Sequence, residues 1–233
     1  MNEEHSSETK KEIKRIDAKY ISHEIQHLLH FDKGFPFTFK EVLIRPGKAV
    51  REYLRENREK YVKPIVFLVF SAVIYTLIIH FFHIEISIFN VKAFGKTSEW
   101  QKTLDTEVIN NWINSHLSYS AMLIGFFMAL WTKLLFYRKG YNIFEIFVLL
   151  SYIFGVFFIF LLFFLLIAKP TGLLVISQTG AYLGQIYIVF AMGQFFGERK
   201  IINYIKGFIC FFLGMLTYKC SLVLLAYLIH LFK

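Results

Sequence analysis

Five long apolar blocks, separated by polar links, fill the chain from Pro64 to its end. Each block reaches about 20 residues, the length that an α-helix needs to cross the hydrocarbon core of a bilayer. The pattern therefore predicts an all-α fold, a polytopic membrane helical bundle with five transmembrane helices. The predicted spans are residues 64–83, 117–137, 143–168, 173–196 and 205–232, which together form a transmembrane domain over residues 64–232.

The region before the first span is polar and highly charged. Residues 1–16 lack hydrophobic periodicity and predict a disordered tail, whereas residues 17–63 predict a juxtamembrane segment of short amphipathic helices. One of these helices should begin at a capping box formed by Thr38 and Glu41. The next should begin at Pro46, a residue favoured in the first turn of a helix, and run to about residue 62.

A further amphipathic helix is predicted between the first and second spans, over residues 98–114. Its apolar positions Trp100, Leu104, Val108 and Trp112 recur every four residues, so they form one stripe with a tryptophan at each end. Tryptophan favours the membrane interface. The segment is therefore expected to anchor the outer surface of the bundle, and a lid over a substrate is the alternative.

Composition and charge support a membrane location and set the orientation. Hydrophobic residues make up 56% of the chain, and 14 of its 26 Lys and Arg lie in residues 1–63. Because cation-rich segments stay on the cytoplasmic side, the N-terminus is predicted inside and the C-terminus outside after five spans. The cations are not arranged as a nucleic-acid surface, so no nucleic-acid partner is expected.

Three arginines, Arg51, Arg55 and Arg58, alternate with glutamates just before the first span. One interpretation is a solvated helix with internal ion pairs. The other is a basic membrane surface that meets the anionic headgroups of the bilayer, the lipid partner expected for this chain.

The string HEIQH at residues 23–27 matches the HExxH pattern of zinc hydrolases. His23 and His27 would be metal ligands with His30 on the same helical face, and Glu24 would be the catalytic base. A third ligand from elsewhere is required, because three ligands along one straight helix lie too far apart. Solvated histidines are the alternative, so no cofactor is expected unless this segment binds zinc.

Lys219 lies near the middle of the fifth predicted span. Burying an ammonium at that depth costs about 3 kcal/mol, so the side chain should face the bundle interior, a watery cavity or a carboxylate. Glu145, at the start of the third span, is one of two carboxylates near the membrane segments. Lys219 and Glu145 form a candidate intramembrane polar site. A lysine that fixes helix packing through hydrogen bonds is the structural interpretation, and a transport or relay role is the functional one.

Three stretches of the chain resemble a known family: HEIQHLLHFDKG, RPGKAVREYL with the flanking KP, and LFYRKGYNIFEIFVLLSY. They are similar to an uncharacterised domain-of-unknown-function family of bacterial multi-pass inner-membrane proteins. The resemblance implies a membrane domain with a cytoplasmic N-terminal face in the bacterial inner membrane. The cysteine-rich N-terminal ribbon of many members is absent here, and Glu145 is followed by Ile146 where those members have histidine.

These features favour a non-enzymatic membrane component, a bundle that binds a partner or handles a small molecule. A membrane or cytoplasmic protein is a candidate partner beside the lipid bilayer. The first alternative is a transporter or channel-like protein that uses the polar interior near Lys219. The second alternative is a membrane-associated metallohydrolase that uses HEIQH.

Overall fold

The computed structural model describes residues 34–82, 113, 117–171 and 174–231. This part of the chain is helical throughout, without strands. Its seven α-helices are α1 (Gly34–Ile44), α2 (Pro46–Arg55), α3 (Pro64–Phe82), α4 (Leu117–Leu135), α5 (Ile143–Thr171), α6 (Leu174–Gly197) and α7 (Ile201–Leu231).

Four helices of the described part are long and apolar enough to cross a membrane. They are α3, α5, α6 and α7, and the window of α5 has a mean hydropathy of 2.9. Helix α4 is also apolar, but its stretch Tyr119–Leu135 is shorter than the other four. The all-α prediction and the prediction of membrane-spanning helices are confirmed to this extent.

Helix α5 is the centre of the bundle. It packs against α3 on one side and α6 on the other, and also contacts α4, while α7 packs against α4 and α6. All residues from Leu149 to Phe158 are buried, so this part of α5 is surrounded on every side. Gly155 makes the contact with α3 close, because its missing side chain leaves room for the buried ring of Phe67.

The α1–α2 hairpin, residues 34–55, docks against α5 and α6. Two buried tyrosine hydroxyls hold the region in place. Tyr187 of α6 donates to the carbonyl of Val42 in α1 at 2.8 Å, and Tyr152 of α5 donates to the carbonyl of Val62 at 2.6 Å. We call the end of the bundle where the hairpin and the α4–α5 and α6–α7 links lie the hairpin end. There the rings of Phe136 and Phe196, at the ends of α4 and α6, are stacked.

Helix α1 begins earlier than the sequence pattern predicts. Gly34 and Pro36 lie in its first turn, where proline is tolerated because the first amide groups of a helix have no intrahelical partner. Thr38 therefore lies inside the helix instead of capping it. Its buried hydroxyl oxygen accepts the N–H of Val62 at 3.0 Å, so a long-range contact replaces the predicted local one.

Helix α2 begins at Pro46 as predicted but ends at Arg55, before the predicted end near residue 62. The reason is local. The side-chain oxygen of Asn57 accepts the N–H groups of Glu59 and Lys60 at 3.1 and 3.2 Å, which forms a turn in place of another helical turn. Residues 56–63 therefore form a connecting segment that leads from α2 into α3.

Several predictions concern residues outside the described ranges. They are the tail at residues 1–16, the juxtamembrane segment before Gly34 and, apart from Ile113, the outer helix at residues 98–114.

Replacing Gly155 by alanine is expected to destabilise the bundle. An added Cβ would lie 2.5 Å from Cδ1 of Phe67, which is fully buried and has no space to move. Such overpacking typically costs about 1–3 kcal/mol, so the midpoint of thermal unfolding in detergent should fall. Gly125→Ala is the matched control, because its nearest neighbour lies 3.4 Å away at the edge of the Phe154 ring. Equal midpoints for the two variants would contradict the proposed packing.

Candidate functional site

At the hairpin end, the carbonyl groups at the C-terminal end of α6 all accept hydrogen bonds from side chains. The last four carbonyl groups of any α-helix lack an intrahelical partner. Here Nη1 of Arg51 donates to the carbonyls of Gln194 and Phe195 at 2.7 and 2.9 Å. Nδ2 of the buried Asn203 donates to the carbonyls of Phe196 and Gly197 at 3.2 and 2.9 Å. All four carbonyls are thus satisfied, and the Arg51 charge also complements the negative end of the helix dipole.

Gly47 allows α2 to reach this position. Its N–H lies 3.4 Å from Oε1 of Gln194, and an added Cβ would lie 2.5 Å from the backbone carbon of Gln194. Only glycine permits so close an approach, since the obstacle is backbone. Pro46 and Val50 beside it are buried. The RPGKAVREYL string is therefore explained as a docking sequence, in which small and apolar residues make contact and Arg51 caps α6.

The three arginines of the predicted basic surface have different surroundings. Arg51 is half-buried on the α6 carbonyls. The exposed Arg55 donates to the hydroxyl of Tyr141 at 3.4 Å, and its guanidinium lies 5.6 Å from the centre of that ring. Arg58 lies in the connecting segment beside a surface groove. The sequence does not separate these roles, because the acceptors for Arg51 lie in α6 and the acceptor for Arg55 lies in the α4–α5 link.

Lys60 is neutralised by Glu52. Nζ of Lys60 lies 2.6 Å from Oε1 of Glu52, and the hydroxyl of Tyr61 donates to the other carboxylate oxygen at 2.9 Å. The hydrogen bond from Lys60 holds the pKa of Glu52 below its usual range, although burial opposes the shift. Burial, reinforced by the hydrogen bond to Glu52, raises the pKa of Tyr61. This network fixes the connecting segment beside the groove.

The groove has a volume of about 990 Å³ and lies between the connecting segment, the start of α3 and the start of α5. One wall of the groove is apolar. Ile65 and Phe144 are 70% and 76% exposed, so they face outward from the bundle, and Phe147 and Val148 continue the same wall. The other lining residues are Tyr53, Arg58, Glu59, Tyr61, Val62, Lys63, Pro64, Val66 and Ser151.

Three charged side chains line the groove: Arg58, Glu59 and Lys63. All three are exposed, and none forms an ion pair or a side-chain hydrogen bond within the part of the chain that the structure describes. Burial raises the pKa of the neighbouring Tyr53, and the positive charge of Arg58 opposes that shift. The groove therefore combines two unneutralised cations and one carboxylate with an apolar wall.

Ser151 lines the groove from α5. Its residue is 9% exposed, and its hydroxyl makes no hydrogen bond within the described residues. The hydroxyl oxygen keeps some accessible surface, because it lines the groove. The hydroxyl is therefore a polar group available to a molecule in the groove.

Glu145 and Lys219, the candidate intramembrane polar site, have separate surroundings. The Glu145 carboxylate accepts the N–H of Asn142, whose side chain accepts the N–H of Glu145, both at 2.8 Å. This reciprocal pair is a capping box at the start of α5. Lys219 is half-buried on α7, on the same helical face as the exposed rings of Phe208 and Phe212. No ion pair or hydrogen bond joins it to Glu145 in the described part of the chain.

The HEIQH residues His23, Glu24 and His27, together with His30, lie outside the described residues. Within residues 34–82, 117–171 and 174–231, no group of three His, Cys, Asp or Glu side chains could hold a metal ion. The zinc site therefore stays a prediction from sequence alone.

The groove was not identified from the sequence, because its lining comes from α2, the connecting segment, α3 and α5. One signal could have pointed to it. Tyr53 and Tyr61 flank a cation-rich segment directly before an apolar span, and tyrosine near a membrane interface often marks the level of the headgroups.

Comparison with known proteins gives one match. Residues 32–76 match the family described as "Protein of unknown function (DUF3667)". The matched region covers α1, α2, the connecting segment and most of α3, and so includes the RPGKAVREYL string but not α5. No curated protein and no solved structure matches the chain. The resemblance seen in the sequence to an uncharacterised family is supported over this region, which is about a fifth of the chain.

Replacing Arg51 by glutamine is expected to destabilise the protein, because two carbonyls of α6 lose a charged donor. Hydrogen bonds to a charged group contribute about 1.5–3 kcal/mol, so the midpoint of thermal unfolding in detergent should fall clearly. Lys48→Gln is the matched control on the same helix, since Lys48 is exposed. If Arg51→Gln unfolds at the same temperature as Lys48→Gln, Arg51 does not cap α6.

Proposed function

We propose that the chain is a five-span protein of the bacterial inner membrane with a cytoplasmic N-terminus and an external C-terminus. Helix α4 is the additional span beside the four longer helices, and it packs between α5 and α7 as a member of the bundle. The hairpin end would be cytoplasmic. This orientation is supported by the cations of the two links at that end, which are Arg138, Lys139, Arg199 and Lys200.

We further propose a non-enzymatic function, in which the cytoplasmic end of the bundle holds a bilayer amphiphile. The single observation that carries this proposal is the groove between the connecting segment, α3 and α5. Its apolar wall would face the acyl region, and its charged residues Arg58, Glu59 and Lys63 would lie at the level of the headgroups. A molecule with an apolar tail and a polar head fits both parts at once.

Binding rather than catalysis is proposed because of the types of residue in the groove. The cationic side chains of Arg58 and Lys63 suit charge recognition. The docked hairpin supports the same view. A segment held by Arg51, Tyr152 and Tyr187 gives the groove a fixed wall, which favours selective binding.

The proposed topology predicts the side on which each link lies. A reporter that is active only in the cytoplasm should be active when it is fused after Lys139 or after Lys200. A reporter that is active only outside should be active when it is fused after Lys169. The fusion at Lys139 tests whether α4 crosses the membrane. An external reporter at that site would refute the combination of five spans and a cytoplasmic N-terminus, either because α4 does not cross or because the bundle is inverted.

The proposed amphiphile site predicts that filling the groove removes a bound molecule. In Val148→Phe, a larger side chain at a half-buried lining position should occupy the apolar part of the groove. The amount of lipid that copurifies per protein, measured by native mass spectrometry, should fall about tenfold, which corresponds to a loss of about 1.4 kcal/mol of binding.

The control is Val73→Phe, at an exposed position of α3 away from the groove lining. It should retain the lipid of the native protein. Equal lipid content in the two variants and the native protein would refute the groove as the site.

A further inference from the structure

We infer that the charged end of the groove recognises a phospholipid headgroup that carries both a phosphate diester and a primary ammonium group. This inference rests on the amphiphile groove proposed above and names the chemistry of its occupant. It follows from which charges of the region are neutralised within the protein and which are not.

The cations near the groove fall into two sets within the described residues. Arg51, Arg55 and Lys60 already contact carbonyls, a tyrosine or a carboxylate. Arg58 and Lys63 line the groove without an ion pair or a side-chain hydrogen bond. A phosphate diester is the natural partner for this pair, because a guanidinium and an ammonium bind its oxygens through charge-assisted hydrogen bonds.

Glu59 makes the site selective. Its carboxylate lies in the same lining as Arg58 and Lys63 and has no ion-pair partner in the described part of the chain. A headgroup with only negative charge would meet repulsion there. A primary ammonium can donate hydrogen bonds to the carboxylate, whereas a trimethylammonium has no N–H to donate. The three lining charges thus match a phosphate and an ammonium on one headgroup.

Ser151 supplies a further polar contact in the groove. Tyr152 contacts Val62 and Gly155 contacts Phe67, so α3 and α5 run in the same direction and Ser151 lies level with Lys63. There the hydroxyl, which makes no hydrogen bond within the described residues, can donate to an oxygen of the lipid. A tail-bearing ligand is favoured over a free phosphate ester, which would leave the apolar wall of Ile65 and Phe144 without a partner.

The experiment uses the full chain in nanodiscs that contain equal amounts of phosphatidylethanolamine, phosphatidylglycerol and phosphatidylcholine. Lipids retained after release into the gas phase are identified by native mass spectrometry. The native protein should retain phosphatidylethanolamine about tenfold over each of the others, the ratio expected for one additional charged hydrogen bond. Water-soluble glycerophosphoethanolamine, added as a competitor, should not displace it.

Two sets of variants test the phosphate contact and the ammonium contact separately. Arg58→Gln with Lys63→Gln should lose all three phospholipids. Glu59→Gln should still retain phospholipid but without preference for ethanolamine. Glu56→Gln and Lys48→Gln, at exposed positions outside the groove lining, are the matched controls and should behave as the native protein. Unchanged thermal unfolding in each variant shows that a loss of lipid is not a loss of fold.

Two outcomes overturn the inference in distinguishable ways. Equal retention of the three phospholipids by the native protein rejects the headgroup assignment while the amphiphile groove stands, provided that Val148→Phe removes the lipid. Absence of retained lipid from the native protein rejects the groove and the headgroup together. Full displacement by glycerophosphoethanolamine rejects the lipid as the source of the phosphate.

Discussion

The attachment of α2 to the carbonyl end of α6 is the interaction on which the hairpin end depends. Carbonyls at a helix end near the membrane have little water to bond, so Arg51 and Asn203 supply donors to all four. Gly47 makes the distance short enough for Arg51 to reach. Once α2 is fixed there, the Asn57 turn directs the connecting segment towards α5, and the groove forms between them.

Much of the fold could be predicted from the sequence, because span length and hydropathy are local properties. Helix α5 begins at residue 143 as predicted, and its apolar composition already indicates a helix that can be buried on all sides. The start of α1 could not be predicted. Thr38 and Glu41 match a local capping pattern, but the hydroxyl of Thr38 instead contacts Val62, which lies 24 residues further along the chain.

The candidate site was less predictable than the fold. Which charged residues are available to a ligand depends on which of them pair with other residues of the protein. In the sequence, Arg51, Arg55 and Arg58 look equivalent, and Glu145 resembles an intramembrane acid. The structure gives Arg51 a capping role and Glu145 a place in a capping box. These pairings remove both from the groups available to a ligand. Arg58, in contrast, is available to a ligand, because it lines the groove and has no ion pair within the described residues.

Arg51 and its acceptors are far apart along the chain, which has a consequence for the order of events during synthesis. The two ends of this contact lie 143 residues apart, and a ribosome adds about 5–20 residues per second, so α2 exists for roughly 7–30 seconds before the end of α6 emerges. During that interval the guanidinium has no helix end to cap. The α1–α2 hairpin can therefore reach its docked position only after the end of α6 has been synthesised.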